Sequence, residues 1–493
     1  MYGRAAQPSS SSQPNFSKML ENCENFDNDI RFTGANDLCN EIMKASDKLE
    51  ESVERRICSA FIKQLDDTNL EVKSNAVKCI QRITPKIREN HLTTIVNKLI
   101  TDIASASKAE ALDILSLTVR GIVTDSRESY APTLISSVAP HLLRGIESGS
   151  AQVQEECLDI CTEIFKRFGL IILRQPSLVN KDQLMNAINN QLTHGSKLSL
   201  RKRASYAMGS FAVVLNQAQL NKLISLLLQK LQSQQEKSDT IIQLQCMSII
   251  AKSIGSKLGP HLREIIPILI RFSSRLNHEA SVDEDNELAE SALITLEAII
   301  RKCANEVTGY IEDLISSAFS LMEYDPNYTY FDDEDEKMDE DGGGWGDDDE
   351  EGWYGGDEDQ DDDADDDTSW KVRRAAVGII DVIVKTRPEF VKRIIIQQAD
   401  VLIDRVKERN MDVKVEILKV LEVLISSSMD VVQQSIELDL LSQTSLKRQL
   451  SASEGLKERQ AVIVKALVKP LKSKKDKVKV AAIEALSAFA CLV

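Results

Sequence analysis

Apolar residues recur at helical spacing along nearly the whole chain. Val53, Ile57, Phe61, Ile62 and Leu65 form one such stripe. The polar run DDTN at 66–69 interrupts it and offers Asp67 or Asn69 as the N-cap of a second helix. Leu70, Val72, Ala76, Val77 and Ile80 make the next stripe, which Pro85 ends. Leu92, Ile95, Val96, Leu99 and Ile103 begin a third. No stretch alternates apolar and polar residues between hairpin turns, so the pattern predicts helices and no sheet.

These helices come in pairs that repeat. Each second helix opens on an aliphatic residue, often followed by Lys, Arg or Gln, with small or aliphatic residues four and eight positions on. Such openings fall at Ile30, Val72, Ala111, Val153, Leu200, Ile242, Leu288, Val372, Val413 and Val478. Six of the nine spacings lie between 41 and 47 residues, close to the period of HEAT or armadillo repeats. Armadillo units would add a short third helix and a glycine per repeat, which the chain lacks. The expectation is an all-α HEAT-repeat solenoid of about ten helix pairs.

Two spacings are long. The gap of 84 residues between Leu288 and Val372 holds an acidic stretch: 332–367 carries 22 Asp or Glu against one Lys, a net charge of −21. The whole chain is −17, so the remainder is weakly basic at +4. The stretch has almost nothing aliphatic to bury and repels itself, which predicts a disordered loop. Because 305–323 supplies one helix of a pair and 369–385 the other, the loop belongs inside one repeat. It carries Trp345 and Trp353, and Tyr324, Tyr328, Tyr330 and Trp370 flank it. Aromatics set among carboxylates suit docking on a basic, partly apolar surface, and these six residues are candidate partner contacts. The gap of 65 residues between Val413 and Val478 predicts a second insertion near 427–454. The expected organisation is a disordered tail over 1–15, HEAT repeats over 16–324, the acidic loop over 325–369 and further repeats over 370–493. The last helix ends on Phe489, Leu492 and Val493, expected to form an uncovered apolar face that a second HEAT half would cover.

Composition removes several function classes. No run of 18 apolar residues is present, and the N-terminus lacks the apolar core of a signal peptide. Nine cysteines stand without CxxC spacing, mostly at apolar helix positions, which predicts a reducing intracellular setting. Cys157 and Cys161, one turn apart, are expected in the core. The five histidines fall in different repeats, away from any metal-ligand spacing, and are expected at surfaces or turns. No phosphate-binding glycine loop or nucleophile constellation occurs, so the expectation is a non-enzyme with no cofactor and no metal. Basic clusters open two second helices: Arg201, Lys202 and Arg203 in one, Lys371, Arg373 and Arg374 in the other. A third runs from Lys469 through Lys479. All three are candidate docking points for acidic surfaces, including the loop itself.

YDPNYTY at 324–330, a long acidic run, and SWKVRRAA at 369–376 together resemble the cullin-associated and neddylation-dissociated family. IRFTGANDLCNEI, EVKSNAVKCI, TIVNKL and HLREIIPILIRF resemble that family in the same order. The resemblance runs from about Phe16 to the C-terminus. It implies a non-catalytic regulator of cullin–RING ubiquitin ligases, cytoplasmic or nuclear. In the family, an N-terminal arch grips the cullin and its RING subunit and hides the lysine that accepts the ubiquitin-like modifier. A C-terminal arch displaces the substrate-receptor adaptor. Family members are more than twice as long as this chain, so the resemblance implies the N-terminal arch, with a separate chain as one possible source of the other half. It implies no nucleic acid, membrane or small-molecule partner. The competing readings are an importin-β-like transport receptor, also a HEAT solenoid with an acidic loop, and a bare HEAT scaffold.

Overall fold

The computed structural model describes residues 16–45, 49–106, 109–233, 236–274, 276, 282–326, 368–439 and 452–493. The tail over 1–15, His278, Tyr328, Tyr330, Trp345, Trp353 and the acidic run lie outside the described residues.

Within the described residues every regular element is a helix. Twenty-one α-helices fall, in chain order, into ten pairs. They are α1 (Phe16–Cys23) with α2 (Asn28–Lys44), α3 (Glu51–Leu65) with α4 (Leu70–Ile83), α5 (Glu89–Ser105) with α6 (Ala109–Asp125), α7 (Ala131–Ser148) with α8 (Ala151–Arg174), and α9 (Lys181–His194) with α10 (Leu198–Phe211). Then follow α11 (Gln217–Gln232) with α12 (Lys237–Ile254), α13 (Leu262–Ser273) with α14 (Asp283–Lys302), α15 (Ile311–Met322) with α16 (Ser369–Thr386), and α17 (Val391–Asp404) with α18 (Met411–Asp439). The tenth pair has a divided first member, α19 (Ala452–Glu458) and α20 (Gln460–Val468), before α21 (Asp476–Leu492). This is the expected all-α HEAT-repeat solenoid. The chain forms two compact units, 1–223 and 224–493.

In the first unit, α2, α4, α6, α8 and α10 pack successively on one another, and each also packs on the first helix of its own pair. In the second, α12, α14, α16, α18 and α21 form the equivalent row. A second helix is therefore covered on two or three sides. That explains why the predicted openings Val72, Val153, Leu200, Ile242, Leu288, Val372, Val413 and Val478 are all buried. Ile30 and Ala111 are not: Ile30 is 39% exposed and Ala111 is half-buried. Ile30 occupies the same helical position as Val72, three residues past the N-cap. No described pair precedes α2, and its buried face is Gly34, Ala35, Leu38, Cys39 and Ile42.

Several helices start on short polar capping side chains. Asn69 is the N-cap of α4, its Oδ1 accepting from the N–H groups of Glu71 and Val72. Asp27, Ser150 and Asn180 cap α2, α8 and α9 in the same way. Gly255 closes α12 at a φ of 57°, a conformation in which a Cβ would be strained.

Three expectations are corrected. His91, expected at a surface or turn, is 9% exposed inside α5, and its Nε2 has no hydrogen-bond partner among the described residues. Phe489 and Leu492, expected to stand uncovered, are buried in a helix that packs on α18 and α20. The large apolar residues left exposed at this end are Val480 and Ile483 of α21 and, after it, Val493, each more than half exposed. Periodicity identified an apolar helix but not which of its faces is covered, because α21 is apolar nearly all round.

Candidate partner-binding surface

The candidate residues flanking the acidic run meet at the place where that run leaves and re-enters the fold. Its two ends are tied together. The Tyr324 hydroxyl, in a side chain only 1% exposed, donates to Asn286 Oδ1 at 3.0 Å. Asn286, itself fully buried on α14, donates from Nδ2 to Thr368 Oγ1 at 3.0 Å. The Thr368 hydroxyl donates in turn to Asp283 Oδ1 at 2.7 Å. One amide side chain therefore bridges the residues on either side of the insertion.

Arg373 completes the closure from α16. Its guanidinium lies 1% exposed and donates through Nε and Nη2 to the two carboxylate oxygens of Glu408, at 3.1 Å each. Nη1 donates to the Tyr324 carbonyl at 3.0 Å and to Ser369 Oγ at 2.8 Å. Asp325 lies 3.6 Å from Arg373 and accepts from Arg409 at 2.7 Å. Arg405 also donates to Glu408. A guanidinium and a carboxylate removed from water at such depth are tolerable because their hydrogen-bonding groups are answered.

Tyr324 and Arg373, expected as partner contacts, are therefore enclosed by their own fold. The charged segment SWKVRRAA reads as a helix surface, and only the folded chain brings Glu408, 35 residues later, against its second basic residue, Arg373. Arg374 behaves differently. Its guanidinium stands 5.0 Å from the centre of the half-buried Trp370 ring and 3.5 Å from Glu290. Trp370, Lys371 and Arg374 remain partly exposed on α16. In the first unit, Arg203 turns back to Glu156 at 3.0 Å and Asp159 at 2.7 Å on α8. Burial raises the Asp159 pKa although Arg203 and Arg120 oppose the shift. Lys202 is exposed, and Arg201 is half-buried beside it.

A second surface was missed in the sequence. The second helices of the first unit each leave a large apolar side chain in water: Phe32, Leu70, Leu117, Leu170 and Tyr206 are 38–60% exposed. Phe32 and Leu70 border a shallow depression of about 420 Å³ with Glu71, Ser74 and Lys78. Single exposed apolar residues are ordinary, but every second helix of the first unit carries at least one, with Ile30 and Met43 on α2 and Leu198 on α10 in addition, so a partner spanning several repeats meets several of them. The signal was available, since Leu70 stands directly after the Asn69 cap, where the helix has not yet entered the core.

No protein-family model matches the chain. Cullin-associated NEDD8-dissociated protein 1 of Arabidopsis thaliana is 29% identical over 463 residues, covering 93% of this chain and 36% of that protein. The Dictyostelium discoideum protein of the same name is 30% identical over 491 residues, covering 97% of this chain and 37% of its own length. In Emericella nidulans, a protein named as the N-terminal part of cullin-associated NEDD8-dissociated protein 1 is 22% identical over 305 residues, 55% of this chain and 87% of that one. The chain belongs to the cullin-associated NEDD8-dissociated protein family. It spans little more than a third of the length of the Arabidopsis and Dictyostelium family members. Among solved structures, importin β superposes with a TM-score of 0.59 over 97% of this chain and 55% of its own, at 11% identity. That likeness shows a shared helical-repeat fold alone. The names of the cullin-associated relatives describe association and dissociation rather than a catalysed reaction. No helix among the described residues is long and apolar enough to cross a membrane.

Proposed function

We propose that this chain is a non-catalytic regulator of cullin–RING ubiquitin ligases, cytoplasmic or nuclear, that binds an unmodified cullin with its RING subunit. The observation that carries this reading is alignment to a cullin-associated NEDD8-dissociated protein over 97% of the chain. The row of exposed apolar residues on α2, α4, α6, α8 and α10 supplies the grip. Binding there covers the cullin lysine that accepts the ubiquitin-like modifier. Trp370, Lys371, Arg374, Arg201 and Lys202 are secondary contacts for acidic patches on the same partner. Exchange of substrate receptors needs a further HEAT half, on a continuation of this chain or on a second one, that seats on Val480 and Ile483 of α21. In Emericella nidulans, relatives are named as an N-terminal and a C-terminal part.

The test is a binding titration of purified cullin–RING complex with the intact chain and with a Phe32→Glu/Leu70→Glu variant. Both positions are exposed, so the variant should keep its helical spectrum and melting temperature. Its affinity should fall at least about tenfold, equivalent to ~1.4 kcal/mol. A folded variant that binds as tightly as the parent would remove the row from the interface. No binding by the parent would remove the cullin reading altogether.

A further inference from the structure

The second unit contains a groove that the cullin reading leaves unused. It lies between the end of α17, the start of α18 and the α20–α21 turn, with a volume of about 730 Å³. Its floor is apolar: Ile403, Val406 and Val478 are buried there. Met411 and Val462 rise from its walls, 38% and 58% exposed. Five lysines line it against two aspartates. Both aspartates are already answered, Asp400 by Arg459 at 2.6 Å and Asp404 by Lys407 at 3.2 Å. Lys414, Lys465 and Lys472 make no ion pair among the described residues. Lys414 is half-buried, and burial lowers its pKa, with Glu408 opposing the shift and Lys469 adding to it. An ammonium so placed gains from any carboxylate brought into the groove. The site thus asks for an extended occupant that is strongly anionic and carries apolar or aromatic side chains.

The exit of the acidic run lies beside this groove. Asp325, next to the last residue described before the run, is bound by Arg409 at 2.7 Å. Arg409 stands between Lys407 and Met411, both of which line the groove. We propose that the groove is the docking site of the chain's own acidic segment, residues 327–367, with an indole ring of Trp345 or Trp353 on the apolar floor and its carboxylates on Lys414, Lys465 and Lys472. The chemistry matches on both counts. The segment offers 22 carboxylates over 332–367 and three aromatic rings at Trp345, Trp353 and Tyr354. Forty-one residues, at roughly 3.3 Å each when extended, are ample for a site that begins beside their point of departure. Tethering raises the local concentration to the millimolar range, so a contact weak in isolation becomes dominant. An acidic partner reaching this groove would have to displace the segment first.

The experiment uses a fluorescent peptide of residues 340–358 and four proteins. They are the intact chain, a chain whose residues 330–364 are replaced by a neutral Gly/Ser stretch of equal length, and both again with Lys465→Glu and Lys472→Glu. Circular dichroism melts verify that each is folded. The peptide should bind the Gly/Ser chain, more weakly as salt rises. It should bind the intact chain at least about tenfold more weakly, because the tethered segment occupies the site. The two lysine reversals should abolish binding to the Gly/Ser chain. Absence of binding to the Gly/Ser chain, or binding indifferent to the reversals, overturns the groove as the site. Equal binding to the intact and Gly/Ser chains overturns the segment as occupant and leaves the groove to a partner's acidic peptide.

Discussion

Arg373 and Glu408 face each other through two hydrogen bonds of 3.1 Å, each side chain 1% exposed. The pair joins α16 to the turn before α18, and the same arginine holds the Tyr324 carbonyl. Removing one partner leaves the other charge buried and alone, which typically costs about 3–5 kcal/mol. Arg373→Ala and Glu408→Ala should each lower the melting temperature severely. Arg373→Met/Glu408→Leu should recover part of the loss, because the two most deeply buried charges go together and only the less buried Arg405 loses its bond to Glu408. Single variants within a degree or two of the parent would mean that the pair is not a structural link.

Arg31 and Asp67 make the corresponding bond in the first unit. Arg31 donates through Nε and Nη2 at 2.6 and 2.8 Å, and Asp67 Oδ1 also accepts from the Asn69 N–H at 2.9 Å. Burial alone would raise the Asp67 pKa, but Arg31 and the backbone donors outweigh it and hold it below the ordinary aspartate value of 3.8. A depressed folded-state pKa contributes stability that is complete above the unfolded value and lost as pH falls through the folded one. Asp67→Asn should therefore melt below the parent at about pH 7, by the equivalent of ~1–3 kcal/mol. The two melting curves should converge at about pH 3 or lower. A gap unchanged by acid would exclude the charged bond as its source.

The amide bridge at the insertion gives a milder prediction. Tyr324→Phe keeps the ring but removes the donor to Asn286, a buried hydrogen bond worth about 1 kcal/mol. Asn286→Ala removes both arms and should cost more, since Tyr324 and Thr368 then lose their shared partner. If the two substitutions are equal in thermal melts, Asn286 serves only one end.

Eight of the nine cysteines are buried, and Cys491 is exposed. Burial pushes Cys23, Cys58, Cys157 and Cys246 up to about 12, with a neighbouring glutamate adding to the shift at the first three. Since the thiolate is the reactive form, a chromogenic disulfide reagent should titrate one thiol quickly in the folded protein and all nine in denaturant. Several fast thiols at neutral pH would show that the helix pairs open readily.

The repeat architecture was legible because one rule acts in every pair. An aliphatic residue early in the second helix must bury itself, and Val72 and Val413 obey it 341 positions apart. The links between repeats were less so. Arg31 with Asp67 and Arg373 with Glu408 are the same device. Each arginine reaches 35 or 36 residues ahead to an acid placed two residues before a capping asparagine, Asn69 or Asn410. Sequence reading offered Asp67 or Asn69 as the cap from the turn chemistry, and Asn69 takes that role. It placed Arg373 on a surface because a guanidinium among charged neighbours gives no sign of a partner one repeat away. The groove at Lys414 and Met411 was illegible for a related reason: its walls come from two successive pairs, and no single helix carries its pattern.

The bridge from Tyr324 through Asn286 to Thr368 makes the eighth pair indifferent to the size of what it carries. The two ends of the insertion are held as neighbours, much as a short connection would hold them. The remaining penalty for a longer connection is the entropy of closing it, which grows only logarithmically, by about 0.6 kcal/mol for each doubling. Residues can therefore be added to or removed from this position in evolution, or in the laboratory, at almost no cost to folding. The acidic run sits at a socket in the fold, where its composition is open to selection by whatever it binds and is nearly invisible to selection for stability.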